Sequence, residues 1–576
     1  MKKPVIEFEG FSFRYKAQTL PSLKNITLTI YEGEKVLILG SSGSGKTTLA
    51  NCVNGLIPFS YSGEITGSCK VKGRETRELS VFALSRDVGT ALQDSDAQFV
   101  GLSVGEDMAF LMENDCVPRE EMRRKVRENS RIVGMEDFLA ALPFHLSGGQ
   151  KQKAALGGIL GEDTGILIFD EPLASLDPKT GTAAIDLIDQ IVRRQGCTAL
   201  IIEHRLEDVL FRPVDRVILM DKGEIAADTA PDALLRSGLL GKYGIREPLY
   251  LTAMKYAGCD IAQVPDLGDS SRLEIGGENR EKLRAFFARE TPPRISSLEE
   301  KIIRVEKVRY AYDEGGPYPA IQDASFSLRK GERVAFIGRN GAGKSTMAKL
   351  LCGICRPASG TIRLNGKDSR SLTVREIGGV IGYVMQDPNQ MLVKDTIKDE
   401  VELALRLRKE GEERIREMTQ TALETCDLYR MRNWPVDAVS YGQKKRITIA
   451  SALAAGPEVL ILDEPTAGQD YRHYTEILSF INRLNREYGK TVIFITHDIH
   501  LAIESTDRAV VFGDEGKGGV ILADGDIFAI LSDSRIVEAA NLKATSLHAL
   551  AETLDMEAEP CIRGYITYEE ELKAKP

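Results

Sequence analysis

Short, continuously apolar runs recur in two sets along the chain. The first set lies at 35–39, 166–169 and 199–202, and the second at 333–337, 459–462 and 492–495. Apart from a leading basic residue in two of them, they carry Val, Ile, Leu, Phe and Ala without polar alternation. Continuous apolarity rich in β-branched residues predicts strands buried on both faces, as in a parallel sheet. The matching order of the sets predicts two tandem copies of one α/β unit.

Between the first strand of each set and a helix-like stretch lies a glycine-rich loop. It reads Gly40-Ser41-Ser42-Gly43-Ser44-Gly45-Lys46-Thr47, followed by Thr48, in the first copy. In the second it reads Gly338-Arg339-Asn340-Gly341-Ala342-Gly343-Lys344-Ser345, followed by Thr346. Both fit G-x-x-x-x-G-K-[ST], and the strand–loop–helix setting gives the pattern its meaning. Glycines let the backbone wrap a phosphate so that successive N–H groups face it. The following helix adds its free N–H groups and positive dipole end. Lys46 and Lys344 supply a point charge, and Thr47 and Ser345 a hydroxyl for Mg²⁺. A bare glycine turn would not repeat with the same sequels.

Those sequels align at one constant offset. Gln93 pairs with Gln386, Ser147 with Ser440, Asp170 with Asp463, Glu171 with Glu464, and His204 with His497. The phosphate-loop lysines miss that offset by five residues, so one small indel separates the copies. The acid pairs Asp170-Glu171 and Asp463-Glu464 end apolar runs, where two adjacent carboxylates are costly to bury without a task. The first acid is placed to reach Mg²⁺, and the second to polarise an attacking water. Ser147-Gly148-Gly149-Gln150 and Ser440-Tyr441-Gly442-Gln443 lead into helical segments, offering a hydroxyl and helix N–H groups to a phosphate. His204 and His497 follow strand-like runs and are suited to contact a γ-phosphate. His145, His473, His500 and His548 form no such pairs and receive no role.

Composition narrows the class. The 576 residues exceed one core, and 43% hydrophobic with 28% charged residues is ordinary globular content. The net charge of −10 argues against a nucleic-acid partner. The N-terminal residues lack a secretory h-region, and no run of 18 apolar residues occurs, so neither secretion nor a membrane span is expected. The nine cysteines are scattered; Cys352 and Cys355, the one close pair, read as buried packing, and a reduced cytosolic protein is expected.

On these motifs the chain resembles the ATP-binding-cassette ATPases over nearly all its length. The resemblance implies an α/β fold of two tandem P-loop NTPase domains. Each would have a parallel-sheet core, an antiparallel β subdomain and a helical subdomain, with small helical C-terminal tails. The expected boundaries are 1–231 and 301–515 for the ATPase domains, 232–300 for a helical tail and linker, and 516–576 for a C-terminal tail. Motif by motif, Lys46 and Lys344 resemble Walker A lysines, Asp170 and Asp463 Walker B aspartates, and Glu171 and Glu464 catalytic glutamates. Gln93 and Gln386 resemble Q-loop glutamines that touch Mg²⁺, His204 and His497 switch histidines, and Asp177 and Asp470 D-loop aspartates. Tyr15 and Tyr312 sit where the family stacks an aromatic ring on adenine. ATP and Mg²⁺ are the implied cofactors.

Within that superfamily the chain is most similar to the energy-coupling-factor importers of vitamins and metal ions. The likeness lies in the segments after Gln93 and Gln386, in Glu203-His204-Arg205, and in the Lys444-Lys445-Arg446 run of the second signature. It implies a place on the cytoplasmic membrane face beside a transmembrane T component and a substrate-capturing S component. It also implies head-to-tail pairing, with each ATP held by one domain's Walker A and the other's signature. The acidic Q-loop residues Asp94, Asp96 and Asp387 would receive an arginine from the T component. One residue departs from the pattern: Tyr441 replaces the first signature glycine. Both acid pairs are intact, so both sites are expected to work. The rival class is the tandem-cassette translation factor of the ribosome, but no long basic helix separates the halves and the tail is acid-rich.

Overall fold

A computed structural model describes residues 3–92, 98–160, 164–174, 176–269, 272–289, 300–312, 319–467, 469–514 and 518–574. Two compact units result, residues 1–285 with 470–472 and residues 286–469 with 473–576.

The strands of the first half are β1 (Pro4–Tyr15), β2 (Leu23–Tyr31), β3 (Lys35–Gly40), β4 (Gly63–Val71), β5 (Arg74–Glu75), β6 (Val88–Ala91), β7 (Ile166–Asp170), β8 (Thr198–Ile202), β9 (Arg216–Asp221) and β10 (Glu224–Thr229). They form a four-stranded antiparallel sheet ordered β2-β1-β4-β5 and a six-stranded sheet ordered β10-β9-β3-β8-β7-β6. The larger sheet is parallel except for the β9–β10 edge. Every residue of β3, β7 and β8 is buried, as their unbroken apolar runs predict. In β1 the pattern alternates instead, and Ile6, Phe8, Phe11 and Phe13 turn inward. These side chains meet Ile38, Leu49, Ile168 and Leu200 in one core that joins both sheets. The phosphate loop therefore leaves β3 at the centre of the most buried part of this unit.

The second half repeats the design with β11 (Lys301–Tyr310), β12 (Ile321–Arg329), β13 (Arg333–Gly338), β14 (Ser359–Leu364), β15 (Lys367–Asp368), β16 (Ile381–Val384), β17 (Val459–Asp463), β18 (Thr491–Ile495), β19 (Arg508–Asp514) and β20 (Gly519–Asp526). The orders β12-β11-β14-β15 and β16-β17-β18-β13-β19-β20 match those of the first half strand for strand. Its large sheet runs past residue 515, because β20 returns antiparallel along β19 as an edge strand. Only half-buried, β20 lacks the continuous apolar run that marks its neighbours.

Each half inserts a helical portion between the edge strand and the acid-tipped strand. In the first half it contains Val104–Asn114, Arg119–Val133 and Gly148–Ile159; in the second, Ile397–Leu407, Glu412–Thr425 and Tyr441–Ala454. Short helices follow each sheet. Those after β10 bury Leu234, Leu235, Leu240 and Tyr250, whose hydroxyl donates to the Leu267 carbonyl at 2.6 Å. Those after β20 end in the helix Ala558–Ala574, where Tyr568 meets Phe286 edge-on at 5.2 Å. Among the described residues, no helix is long and apolar enough to cross a membrane.

Candidate nucleotide sites

Each phosphate loop turns at a glycine where any side chain would be strained. Gly45 (φ 103°) and Gly343 (φ 97°) cap the helices Lys46–Val53 and Lys344–Leu351 in the left-handed region. A Cβ would stand 2.7 Å from the Ser22 carbonyl at Gly45, and 2.6 Å from that of Ala320 at Gly343. The lysines that follow lie back along their loops. Lys46 Nζ donates to the carbonyls of Gly40 (2.9 Å) and Ser41 (3.0 Å), and Lys344 Nζ to those of Gly338 (2.7 Å) and Arg339 (2.9 Å). Burial pushes Lys46 down to about 8, against the pull of Glu171 and Asp170. The Ser44 hydroxyl is buried in the loop without a hydrogen-bond partner among the described residues. Such an orphaned donor in a cradle of backbone N–H groups fits a phosphate oxygen.

The acid pairs stand at the ends of β7 and β17. Thr47 Oγ1 donates to Asp170 Oδ1 at 3.4 Å, so a hydroxyl and a carboxylate converge beside the loop. In the second half Tyr383 donates to Asp463 Oδ2 at 2.8 Å, and Ser345 hydrogen-bonds Asp463. Burial raises Asp170 and Asp463, with the neighbouring glutamates adding to the rise. A hydroxyl and one carboxylate are hard oxygen donors, the kind Mg²⁺ takes alongside substrate phosphates.

Glu171 (φ 49°) and Glu464 (φ 44°) share an unusual backbone for a non-glycine residue. Each N–H donates across the sheet, Glu171 to the Ile202 carbonyl and Glu464 to that of Ile495, both at 2.9 Å. That conformation costs on the order of 1–3 kcal/mol and persists where surroundings enforce it, commonly at functional sites. It turns both carboxylates to a histidine. His204 Nε2 lies 2.8 Å from Glu171 Oε1, and His497 Nδ1 lies 2.7 Å from Glu464 Oε1. Burial would raise Glu171, but the His204 hydrogen bond and the charges of His204, Lys46 and Arg205 outweigh it, holding the carboxyl below its usual range.

The remaining expected residues fall on separate elements. Tyr15 Oη and Thr48 Oγ1 are 3.2 Å apart, and Tyr312 Oη and Thr346 Oγ1 likewise, so each tyrosine stands beside its phosphate loop. Ser147 and Ser440 cap the helices Gly148–Ile159 and Tyr441–Ala454. Their side chains accept from the N–H of Gln150 and Gln443, which reciprocate with their side-chain oxygens at 2.9 Å. Gly148, Gly149 and Gly442 lie in those first turns. Asp177 caps Pro178–Gln195. Gln386 is described and exposed, whereas Gln93, with Asp94 and Asp96, lies outside the described residues.

Several participants received no role from the sequence motifs, although Glu203 and Lys445 lie in stretches that carry the family likeness. Glu203, 2% exposed, accepts from the N–H groups of Leu173 (2.8 Å) and His204 (3.0 Å), bracing the acid loop against the histidine. Thr496 holds its position in the second half and donates to Glu464 Oε2 at 3.2 Å. Tyr383 sits on β16 and is recognisable only from the neighbour it faces. Lys445, 1% exposed, donates from the second signature helix to the carbonyls of Gln386 and Glu464.

Two glycine loops on parallel sheets, each beside an acid pair and a histidine, define a tandem P-loop nucleotide hydrolase. The family described as ABC transporter matches residues 23–174 and 321–467. The family described as ATP-binding cassette cobalt transporter matches 237–310. A protein of Clostridium perfringens (strain 13 / Type A), named as an ABC transporter ATP-binding protein, is 50% identical over 550 residues, covering 96% of this chain and 95% of its own. One of Enterococcus faecalis with the same kind of name is 49% identical over 577 residues, covering all of both chains. An archaeal ribosome recycling factor, solved in complex with a ribosomal stalk protein, superposes with a TM-score of 0.57 at 18% identity, covering 90% of each chain. At that identity the likeness is one of fold. The chain belongs to the ABC transporter ATP-binding family, and it is an ATPase.

Proposed function

We propose that the chain is the double ATPase of an energy-coupling-factor importer for a vitamin or a metal ion. The observation that carries this reading is the match of residues 237–310, between the two cassettes, to the cobalt-transporter family. Its partners are a transmembrane T component and a substrate-capturing S component, and it works peripherally on the cytoplasmic membrane face.

The loops at Gly40–Thr48 and Gly338–Thr346 bind the phosphates of ATP, with Lys46 and Lys344 as cations, while Tyr15 and Tyr312 receive the adenine. Thr47 with Asp170, and Ser345 with Asp463, would hold Mg²⁺ together with Gln93 and Gln386. When bound there, the ion would supply positive charge against the transferred phosphoryl group. Glu171 and Glu464 take a proton from the attacking water, and His204 and His497 hold those carboxylates in position. Ser147 and Ser440, with their following glycines and glutamines, bind the γ-phosphate from the partner cassette, so each ATP draws on both.

The test is a pull-down of the tagged chain from detergent-solubilised native membranes, with mass spectrometry of what accompanies it. A polytopic membrane protein and a small membrane-embedded capture protein are the expected companions. Ribosomal proteins without a membrane partner would replace this reading with the translation-factor one.

A further inference from the structure

The second signature helix is tied to its own Q-loop by three side chains of one turn. Lys445 donates to the main-chain carbonyl of Gln386 and, at 3.4 Å, to that of Glu464. Tyr441 donates its hydroxyl to the same Gln386 carbonyl at 3.4 Å. Lys444 donates to Asn389 Oδ1 at 3.0 Å. Lys445 thus joins the Q-loop to the residue whose main chain is held at φ 44°.

The first half keeps a lysine, Lys151, for Lys444 but differs at the other two positions. Gly148 stands for Tyr441 and has no side chain to reach with. Gln152 stands for Lys445, and its neutral amide donates to the carbonyl of Pro172, next to Glu171. The same helical fold accommodates both sets, so the tyrosine and buried ammonium are not needed to form the helix. A buried ammonium costs desolvation unless its donors are used, and here they are used on the main chain flanking two functional residues.

We propose that Lys445 and Tyr441 are positioning residues that clamp the Q-loop and the Glu464 main chain to the second signature helix, fixing Glu464 for water activation. This gives the tyrosine that displaces a signature glycine a task of its own. It rests on the reading of Glu464 as the second base.

The test uses the full-length chain carrying Glu171→Gln, so that turnover depends on Glu464. Adding Lys445→Gln, the residue of the first half, is expected to lower kcat about tenfold with KM for ATP within about twofold. Hydrogen exchange in peptides spanning 385–396 is expected to quicken about tenfold, with exchange in β13 unchanged. Tyr441→Phe, which keeps the ring and removes the hydroxyl, is expected to act in the same direction by about threefold. In a Glu464→Gln background Lys445→Gln is expected to have the smaller effect. Unchanged kcat and exchange would overturn the proposal, as would an equal loss in both backgrounds with a lowered Tm. If Glu464→Gln costs no turnover, the assignment of the base fails instead, and the exchange measurement still decides whether the clamp exists.

Discussion

His204 brings its Nε2 to 2.8 Å from Glu171 Oε1, although the two are 33 residues apart in the chain. The imidazole is one of the reasons the Glu171 carboxyl sits below its usual range, since burial by itself pushes that group up. His204→Ala removes the hydrogen bond and leaves the burial, so the carboxyl rises. A base works deprotonated, so the acid limb of the kcat/KM profile moves to higher pH. This is expected in a Glu464→Gln background, where Glu171 carries turnover, and an unmoved limb would end the argument.

Both acid pairs are complete, and both glutamates share the same left-handed backbone and histidine contact. Steady-state hydrolysis is therefore expected to survive Glu171→Gln or Glu464→Gln singly, and to fall by about 10²-fold or more in the double variant. Loss of all turnover in one single variant would show that one site does the work.

Gly343 holds φ 97° with the Ala320 carbonyl 2.6 Å from where a Cβ would stand. Gly343→Ala is expected to strain the second loop by about 1–3 kcal/mol. Titration with a fluorescent ATP analogue should then count one site per chain where the parent shows two. A retained second site would mean that the loop can shift to accept a methyl group.

Glu203 is buried, and burial raises its carboxyl above the usual range despite the opposing charge of Arg205 and the Leu173 N–H. The folded chain therefore holds this proton more tightly than the unfolded chain does. The stability linked to it is full below about 4.5 and is lost as pH rises through the folded pKa. Glu203→Gln cannot ionise, so the Tm difference, variant minus parent, is expected to grow as pH is raised from that value to neutrality. Thermal melts across the range check this, and a flat difference would refute it.

Much of the fold was legible because parallel strands buried on both faces announce themselves as apolar runs. β3, β7 and β8, with β13, β17 and β18, stand where those runs lie. The edge strands β10 and β20 were not legible, since half-buried edges mix polar and apolar residues. Among functional groups, motif residues repeated at fixed offset were visible, whereas the contacts made by Tyr383 and Lys445 were not. Neither is repeated in the other half, where Thr90 and Gln152 stand.

The sequence by itself determined the tandem copies, the glycine loops, the acid pairs and the histidines. These depend on local backbone needs and on residue types that the chemistry restricts. Only the tertiary structure decided how the halves differ within themselves. Glu203 braces the first acid loop where Thr496 braces the second, and Lys445 links a Q-loop to a strand end where Gln152 reaches the strand end through Pro172. Hydrogen bonds to main-chain carbonyls leave no pattern in sequence, because every residue has a carbonyl and only folding selects which one a buried side chain meets.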